Sequence, residues 1–184
     1  MTPILGIMAS QISGHLYAPT GSMYHIATTT LSTTTAAVTF SSIAADYTHL
    51  QIRGIAQGAS GGSVLTTFNS DTGANYSNHH LQGDGASATA QGSASTTSIN
   101  ICRNGGISTT ASIFSGFVID ILDYANTNKY KTTRALNGHD LNGSGKINFE
   151  SGNWRSSSAI STITLTQNGS GFTQYSSFSL YGVK

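Results

Sequence analysis

The sequence predicts an all-β protein: an antiparallel β-sandwich of the jelly-roll type, preceded by an extended N-terminal arm. Two observations lead to this class. Apolar residues recur with a period of two, or in short runs bounded by Gly, Asn, Asp and Ser, which is typical of strands and turns. No segment keeps a 3.6-residue apolar period with capping residues at its ends, as an amphipathic helix would.

Composition favours a folded domain over a disordered chain. Ser, Thr and Gly are abundant, but 38% of the 184 residues are hydrophobic, and these fall in bounded runs. Disordered segments usually lack such hydrophobic content. We therefore expect one sandwich domain over residues 24–184, with residues 1–23 as the arm.

About ten strands at regular spacing favour a sandwich or barrel over a parallel α/β fold. Each candidate is a short apolar or alternating run. In chain order the candidates are Tyr24–Thr34, Ala37–Phe40, His49–Arg53, Val64–Phe68, Tyr76–Leu81, Ser95–Cys102, Phe114–Tyr124, Lys131–Leu136, Lys146–Trp154, Ile160–Gln167 and Ser176–Val183. Two packed antiparallel sheets of the jelly-roll kind account for this number of strands.

Three segments give more specific expectations. Alternation is clearest in Ile160–Gln167, where Ile163 and Leu165 share the inward face and threonines point outward. Phe114–Tyr124 is the most apolar candidate and predicts a central strand covered on both faces. Residues 83–94 are small or polar and predict a loop.

Residues 1–23 differ from the rest of the chain, because an apolar head is followed by Gly and Pro. The head contains Ile4, Leu5, Ile7 and Met8. Two interpretations remain open. The segment is either an arm that binds a neighbouring subunit through these four residues, or an ordinary first strand followed by a loop.

Charge argues against a nucleic-acid-binding surface. The chain has 8 Lys and Arg residues against 7 Asp and Glu residues, without a basic cluster. Proteins that bind nucleic acid normally concentrate basic charge on one surface. We therefore expect no nucleic-acid partner.

The N-terminal sequence has neither a basic region nor a long apolar core, so we expect neither a signal peptide nor a membrane span. Cys102 is the only cysteine. It can form no intrachain disulfide, and a buried, unreactive thiol is expected. These features favour synthesis in a reducing cytoplasm.

Asp140–Ser151 resembles the calcium loop of an EF-hand, with oxygen-bearing side chains at positions one, three and five and Gly at six. Calcium in that loop needs a Glu at position twelve. Here position twelve is Ser151, Glu150 comes one residue early, and no helices flank the loop. A Gly/Asn hairpin connection leading into a strand is therefore favoured over a metal site.

A second polar loop, Asn69–Asn75, contains one carboxylate, Asp71. We expect a turn held by its own Asn and Asp side chains rather than a cation site. Trp154 and Arg155 together suggest a binding surface, but a half-buried core tryptophan is the favoured interpretation.

Four acidic residues are candidates for the paired carboxylates of a glycoside hydrolase. They are Asp120, Asp123, Asp140 and Glu150. Asp120 and Asp123 lie in or beside the most apolar strand, where a carboxylate needs a partner. Arg134 and Lys131 are the expected partners, so structural pairing is favoured over catalysis.

His79 and His80 are neighbours in a candidate strand and should point to opposite faces. Zinc needs three or four ligands, and nothing near them supplies the rest, so we expect surface histidines. The sequence has no Ser-His-Asp signature, phosphate loop or dinucleotide-binding pattern. We therefore expect no catalytic residue, no cofactor and no metal ion.

Seven stretches distributed along the chain carry a family resemblance. They are Ile4–Ser10, Tyr47–Arg53, Phe68–Ser77, Val118–Tyr124, Asn153–Arg155, Ile160–Leu165 and Phe178–Lys184. With these stretches the chain resembles, from end to end, a family of tailed-bacteriophage virion proteins, many of them described as tail-fibre-like. The resemblance implies a phage structural component, a trimeric jelly-roll knob to which no catalytic residue is carried over.

Two functions follow from the resemblance. The first is a capsid decoration or cement protein that is made in the host bacterial cytoplasm, forms a homotrimer and binds the major capsid protein in the virion. Low charge, abundant Ser and Thr and dense strand content suit close packing of copies. The alternative is a tail-fibre or tail-tip knob that recognises a host-surface glycan. Neither function needs an enzyme, a nucleic acid or a membrane.

Overall fold

The computed structural model describes residues 22–103 and 105–184, which form twelve strands and no helix. The strands are β1 (Met23–Thr30), β2 (Ala37–Phe40), β3 (His49–Ala56), β4 (Val64–Phe68), β5 (Tyr76–Gly83), β6 (Ala88–Thr96), β7 (Ile99–Cys102), β8 (Ser115–Leu122), β9 (Lys131–Asp140), β10 (Gly145–Trp154), β11 (Ile163–Gln167) and β12 (Ser177–Val183). The predicted all-β class is confirmed.

The strands form two antiparallel sheets. Eight strands make the larger sheet in the order β1-β12-β3-β8-β9-β10-β5-β6, and four make the smaller sheet in the order β2-β11-β4-β7. Every pair of neighbouring strands is antiparallel. The smaller sheet packs on one face of the larger sheet, and no other described residues form a layer on the opposite face.

Alternate side chains of both sheets meet in one apolar core. The larger sheet contributes, among others, Leu50, Ile52, Ile119, Ile121, Phe178 and Leu180, and the smaller sheet contributes Val38, Phe40, Val64, Phe68, Ile163 and Leu165. Full burial of one such side chain stabilises a fold by about 1.5–3 kcal/mol. The predicted inward positions of Ile163 and Leu165 are confirmed.

Trp154, the last residue of β10, is anchored in this core and only 2% exposed. Its ring stacks on Tyr76 with centroids 6.2 Å apart, and lies 5.6 Å from the ring of Phe68. Its Nε1–H donates a 2.7 Å hydrogen bond to Asp71 Oδ2. Because a buried indole N–H needs an acceptor, Asp71 fixes the ring in place. The predicted core position of Trp154 is confirmed, with full rather than half burial.

The Asn69–Asn75 loop is a turn built by its own polar side chains, as predicted. Asp71 Oδ1 accepts a 2.8 Å hydrogen bond from the Gly73 N–H, and Asn75 Nδ2 donates to Asp71 Oδ2 at 3.0 Å. The hydrogen bond from Trp154 lowers the pKa of Asp71 most, and the bonds from Asn75 and Gly73 add to it. The charged carboxylate therefore joins the turn to the core.

Asp140–Ser151 contains the hairpin connection that the sequence favoured over a calcium loop. β9 ends at Asp140, whose Oδ1 accepts a 2.7 Å hydrogen bond from the Asn142 N–H. Asn142 and Gly143 take φ values of 63° and 100°, in the left-handed region that these two residue types tolerate. The Asp140 carboxylate thus caps its own turn.

The predicted loop over residues 83–94 is wrong, because β6 occupies Ala88–Thr96. β6 is the edge of the larger sheet and pairs only with β5. Its side chains are small and mostly exposed, so no apolar alternation marks it in the sequence. The backbone ladder to β5 holds it in place.

Phe114–Tyr124 contains a central strand, β8, but the prediction that both of its faces are covered is wrong for this chain. Phe117, Ile119 and Ile121 are buried on the inner face. Val118 is 37% exposed on the outer face, where no other layer of the described chain lies. Burial within the described part of the chain therefore accounts for the apolar residues on the inner face of β8 but not for Val118.

One of the two predicted ion pairs is confirmed. Arg134 lies 3.0 Å from Asp120. Asp123 pairs with Lys129 at 2.6 Å rather than with Lys131. Lys131 is fully buried, and its Nζ donates a 2.8 Å hydrogen bond to the main-chain carbonyl of Lys129. Its ammonium group therefore ties the β8–β9 loop to the start of β9.

Replacing Asp71 by Ala is expected to destabilise the fold by about 1–3 kcal/mol, because the buried indole N–H of Trp154 loses its acceptor. Stability from the Asp71 carboxylate is fully present above its ordinary pKa of 3.8 and is lost as pH falls through its lowered pKa. Urea unfolding at neutral and acid pH measures both effects. The Asp71→Ala variant should therefore lose less unfolding free energy than wild type as the pH is lowered through this range.

Asp84→Ala is the matched control. Asp84 caps a turn by accepting hydrogen bonds from the backbone of Ala86 and Ser87, but it has no buried partner. Its replacement should reduce stability less than that of Asp71. Equal losses would contradict the anchoring role of Asp71.

Candidate functional site

The two strands next to the edge strand β6 of the larger sheet, β5 and β10, each expose an apolar side chain and bury a neighbouring polar one. On β10, Phe149 is 50% exposed whereas Glu150 is 1% exposed. On β5, Leu81 is 55% exposed whereas His80 is 9% exposed. Apolar side chains thus face solvent and polar side chains face the smaller sheet. This inversion creates an apolar surface on the outer face of the sheet and a polar cavity on its inner face.

The surface is the outer apolar patch, a set of six exposed large side chains on adjacent strands. Its members are Ile55 on β3, Val118 on β8, Leu136 on β9, Ile147 and Phe149 on β10, and Leu81 on β5. Their exposed fractions run from 37% for Val118 to 60% for Ile147. More than a third of each of these side chains is therefore left uncovered by the described residues.

Four of these side chains form a continuous ridge across the strands. Val118 lies opposite Leu136 on the neighbouring strand, and Leu136 lies opposite Phe149. Phe149 in turn lies opposite Leu81. Directly opposite residues of antiparallel strands have Cβ atoms about 4.5–5.5 Å apart, so the ridge is unbroken.

A glycine-floored groove runs beside the ridge. Gly116 and Gly138 pair across β8 and β9, and lie in one row between Ile55 and Ile147. The groove has a volume of about 630 Å³. A Cβ atom on Gly116 would meet nothing within 4 Å, so the groove is open above this residue. It has room for a protruding side chain of another subunit.

A polar row borders the outer apolar patch. Asp120, Arg134 and Ser151 occupy the next row of the same face. Gln51 Nε2 donates a 2.8 Å hydrogen bond to Asp120, which also pairs with Arg134. An apolar centre with a polar border is the usual anatomy of a protein–protein interface.

The size of the outer apolar patch also fits an interface. Half-exposed side chains of this size each present on the order of 100 Å², so the six together present about 600 Å². An apolar patch of this extent is at the upper end of the range found on monomeric proteins, where the largest patch is often functional. A standard interface buries about 800 Å² per partner, of which more than half is apolar.

The cavity is the inner polar pocket, which lies on the opposite face of the larger sheet and has a volume of about 220 Å³. All residues that line it are polar. They are Ser63, His80, Gln82, Gln91, Asn100, Arg103 and Lys146. They come from β5, β6, β7 and β10 and from the residues that directly precede β4 and follow β7.

The guanidinium of Arg103 is held on the wall of this pocket by two neighbours on β6. Its Nη1 donates to Gln91 Oε1 at 3.0 Å and its Nη2 donates to Ser93 Oγ at 3.3 Å. Each terminal nitrogen carries a second hydrogen that these bonds do not use. The group is thus oriented and retains donor capacity.

Six buried atoms in or beside the inner polar pocket make no hydrogen bond of good geometry within the described residues. They are Asn78 Nδ2, His80 Nδ1, Arg103 Nε, Asn148 Oδ1 and both carboxylate oxygens of Glu150. Each such atom costs about 1–3 kcal/mol of stability. Native folds contain few of them, so their concentration in one region indicates a site rather than ordinary core.

Burial sets the protonation states here. It raises the pKa of Glu150 to about 7, and the charge of Arg103 opposes the rise. Burial and then the charge of Arg103 lower the pKa of His80, which favours a neutral imidazole. Burial, and after it the charge of Glu150, raise the pKa of the Cys102 thiol. Cys102 is 2% exposed, so the predicted buried thiol is confirmed.

The residues singled out in the sequence have mixed outcomes. The predicted partner-binding residues lie outside the described part of the chain, as does almost all of the predicted arm; they are Ile4, Leu5, Ile7 and Met8. His79 and His80 point to opposite faces as predicted, but the surface position of His80 is wrong. Within residues 22–103 and 105–184, no cluster of three or more His, Cys, Asp or Glu residues could hold a metal ion.

Sequence reasoning missed both the outer apolar patch and the inner polar pocket. In β5 and β10 the alternation is visible, because Leu81 and Phe149 each have polar neighbours on both sides. The usual reading of such a pattern places the apolar residue inside. One signal in the sequence could have revealed the inversion. Tyr76 in β5 and Trp154 in β10 are each an even number of residues from His80 and Glu150, so each large aromatic residue shares a face with the polar residues of its strand.

Comparisons with known proteins give no match for this chain, so its function is inferred from the fold, the outer apolar patch and the inner polar pocket. The chain matches no protein-family model, no curated protein and no solved structure. In the described ranges there is also no helix with the length and apolar character needed to cross a membrane.

Glu150→Gln is expected to remove a pH dependence of stability. Because the pKa of Glu150 is raised from 4.5 to about 7, its contribution is fully present below pH 4.5 and is lost as pH rises to about 7. The variant should be more stable than wild type at pH 8 by up to roughly 3 kcal/mol, since each pKa unit corresponds to about 1.4 kcal/mol. Chemical unfolding across this pH range measures the difference.

The exposed Asp46→Asn variant is the control for this measurement, because it removes a carboxylate without removing a buried group. It should keep the wild-type slope between pH 4.5 and 7. A Glu150→Gln variant with the same slope would show that the carboxylate of Glu150 is not held in a dry environment.

Proposed function

We propose that the chain is a structural protein of a tailed-bacteriophage virion, a decoration protein that forms a homotrimer and binds the major capsid protein on the head. The outer apolar patch carries this proposal. About 600 Å² of contiguous apolar surface on a folded subunit is explained by assembly, because a free monomer gains nothing from exposing it.

The strand order supports assignment of the sandwich to the jelly-roll class. β2, β4, β7 and β11 belong to the smaller sheet, and the strands between them in the chain belong to the larger sheet. The chain therefore passes repeatedly from one sheet to the other, which is the path of a jelly roll. The β9–β10 hairpin is an addition that widens the larger sheet and supplies half of the outer apolar patch.

A second copy of the chain is the proposed occupant of the outer apolar patch. Of the eight exposed large hydrophobic residues among those described, six belong to the patch, and the other two, Tyr130 and Tyr175, lie outside the strands. One apolar face per subunit fits a closed ring in which three such faces converge on the symmetry axis. This arrangement leaves the smaller sheet on the outside of the trimer.

The remaining surface suits a particle component. Only 8% of residues are charged, so neighbouring copies repel one another little. In this proposal the segment containing Ile4, Leu5, Ile7 and Met8 binds the major capsid protein. Trimer formation and capsid attachment then use different parts of the chain.

Gly116→Lys tests the trimer. A Cβ at this position meets nothing within 4 Å, so the fold should be preserved, but an ammonium group would enter the groove of the outer apolar patch. Burying an unpaired charge costs several kcal/mol, so association should weaken by at least about 100-fold. Sedimentation velocity over a concentration series measures the change.

Thr132→Lys is the matched control, because it adds the same charge to an exposed position of the same sheet face beyond the polar border. It should leave the trimer intact. A wild-type chain that remains monomeric at roughly 100 μM, or equal effects of the two variants, would contradict the proposed interface.

The location in the particle requires a separate test. In a phage that encodes this chain, particles assembled without it are expected to lose regular density from the head surface in cryo-electron microscopy. Adding back the purified protein should restore that density. Unchanged heads, or labelled protein found on the tail, would contradict the decoration function even if the protein is a trimer.

A further inference from the structure

The inner polar pocket has the features of a ligand site that assembly does not explain. It lies on the opposite face of the larger sheet from the outer apolar patch. Its lining has no apolar side chain, whereas small-molecule pockets are usually lined mainly by hydrophobic and aromatic groups. A polar ligand is therefore the one that this lining matches.

The unpartnered atoms indicate what kind of polar ligand fits. Two of these atoms, the donor Arg103 Nε and His80 Nδ1, belong to residues that line the pocket. The side-chain amides of Gln82, Gln91 and Asn100 add both donor and acceptor atoms to the lining. His80 lines the pocket while 9% exposed, and its Nδ1 is unpartnered. A hydroxyl group both donates and accepts, so it can satisfy such a mixed set, which a simple cation or a simple anion cannot.

The charge of the lining adds a second requirement. Arg103 and Lys146 are basic, His80 is kept neutral, and the lining itself contains no carboxylate. Glu150 lies on β10 directly opposite His80, behind this lining, and its own charge is disfavoured by burial. The pocket therefore favours a ligand with one negative charge in addition to its hydroxyl groups.

We propose that the inner polar pocket binds a small hydroxylated acid of the sugar-acid class. The spare hydrogens of the Arg103 guanidinium bind the ligand carboxylate, a geometry for which a planar guanidinium is well suited. His80 and the amides of Gln82, Gln91 and Asn100 bind the hydroxyl groups. A cavity of about 220 Å³ is below the usual range for drug-sized ligands, and therefore suits a single ring.

The test is a titration of the ¹⁵N-labelled full chain with sodium D-glucuronate, followed by two-dimensional NMR. D-Glucose supplies the hydroxyl groups without the charge, and sodium acetate supplies the charge without the hydroxyl groups. Glucuronate is expected to shift the resonances of Arg103, His80 and Gln91 with a Kd on the order of 1 mM. Glucose and acetate should bind at least about tenfold more weakly.

Variants distinguish the pocket from general surface charge. Arg103→Gln should weaken glucuronate binding by at least about tenfold, while Arg53→Gln, which removes an equal charge outside this pocket, should not change it. Gln82→Ala provides a second test if Arg103→Gln does not fold, because Gln82 is only partly buried. It should weaken binding severalfold.

Three outcomes would overturn the proposal. The first is the absence of resonance shifts with glucuronate up to about 20 mM. The second is acetate binding as strong as glucuronate binding, which would reduce the site to an adventitious anion site. The third is an equal loss of binding in the Arg53→Gln and Arg103→Gln variants. None of these outcomes bears on the trimer or on the capsid, so this inference fails or succeeds separately from the proposed function.

Discussion

The anchoring of Trp154 determines which side chains of the inverted sheet end face outward. Asp71 and Tyr76 hold the indole in the core. Because side chains alternate along a strand, an inward Trp154 makes Glu150 point inward and Phe149 outward. Gly152, between them, packs so closely under β7 that a Cβ would lie 2.4 Å from Ile99 Cγ2. A shift of one residue would exchange the two faces, and this contact prevents it.

The same constraint accounts for both functional candidates. Tyr76 starts β5 in phase with Trp154 and lies directly opposite it, so β5 and β10 carry the inversion together. The smaller sheet is four strands wide against eight in the larger one, so its cover over this end is thin. Polar side chains can therefore face inward without being enclosed by apolar ones. The apolar residues of these strands lie on the outer face, which no other described residues cover. Unsatisfied polar groups on the inner face reduce the stability of the subunit, and a ligand bound there would restore part of it.

The sequence predicted the strands and the class of fold because alternation and turn residues are local signals. It did not predict β6, since Ala, Ser, Thr and Gly in an edge strand have no apolar face to alternate. It also did not predict the inversion, because a period of two gives the spacing of side chains but not which set is buried. That choice is made by contacts distant in the chain, such as Trp154 with Asp71. The ion pair of Asp120 with Arg134 was predicted correctly, because both residues lie in neighbouring strands. The partner of Asp123 was not, because the fold of the β8–β9 loop places Lys129 beside it instead of Lys131.

The burial of Cys102 limits the chemistry that its thiol can undergo. The thiol is 2% exposed and is kept protonated by its surroundings, so it presents no thiolate to oxidants or to other thiols. As the only cysteine in the chain, it leaves no sulfur at the surface to crosslink copies. The fold therefore depends on packing and hydrogen bonds rather than on a disulfide, under reducing and oxidising conditions alike.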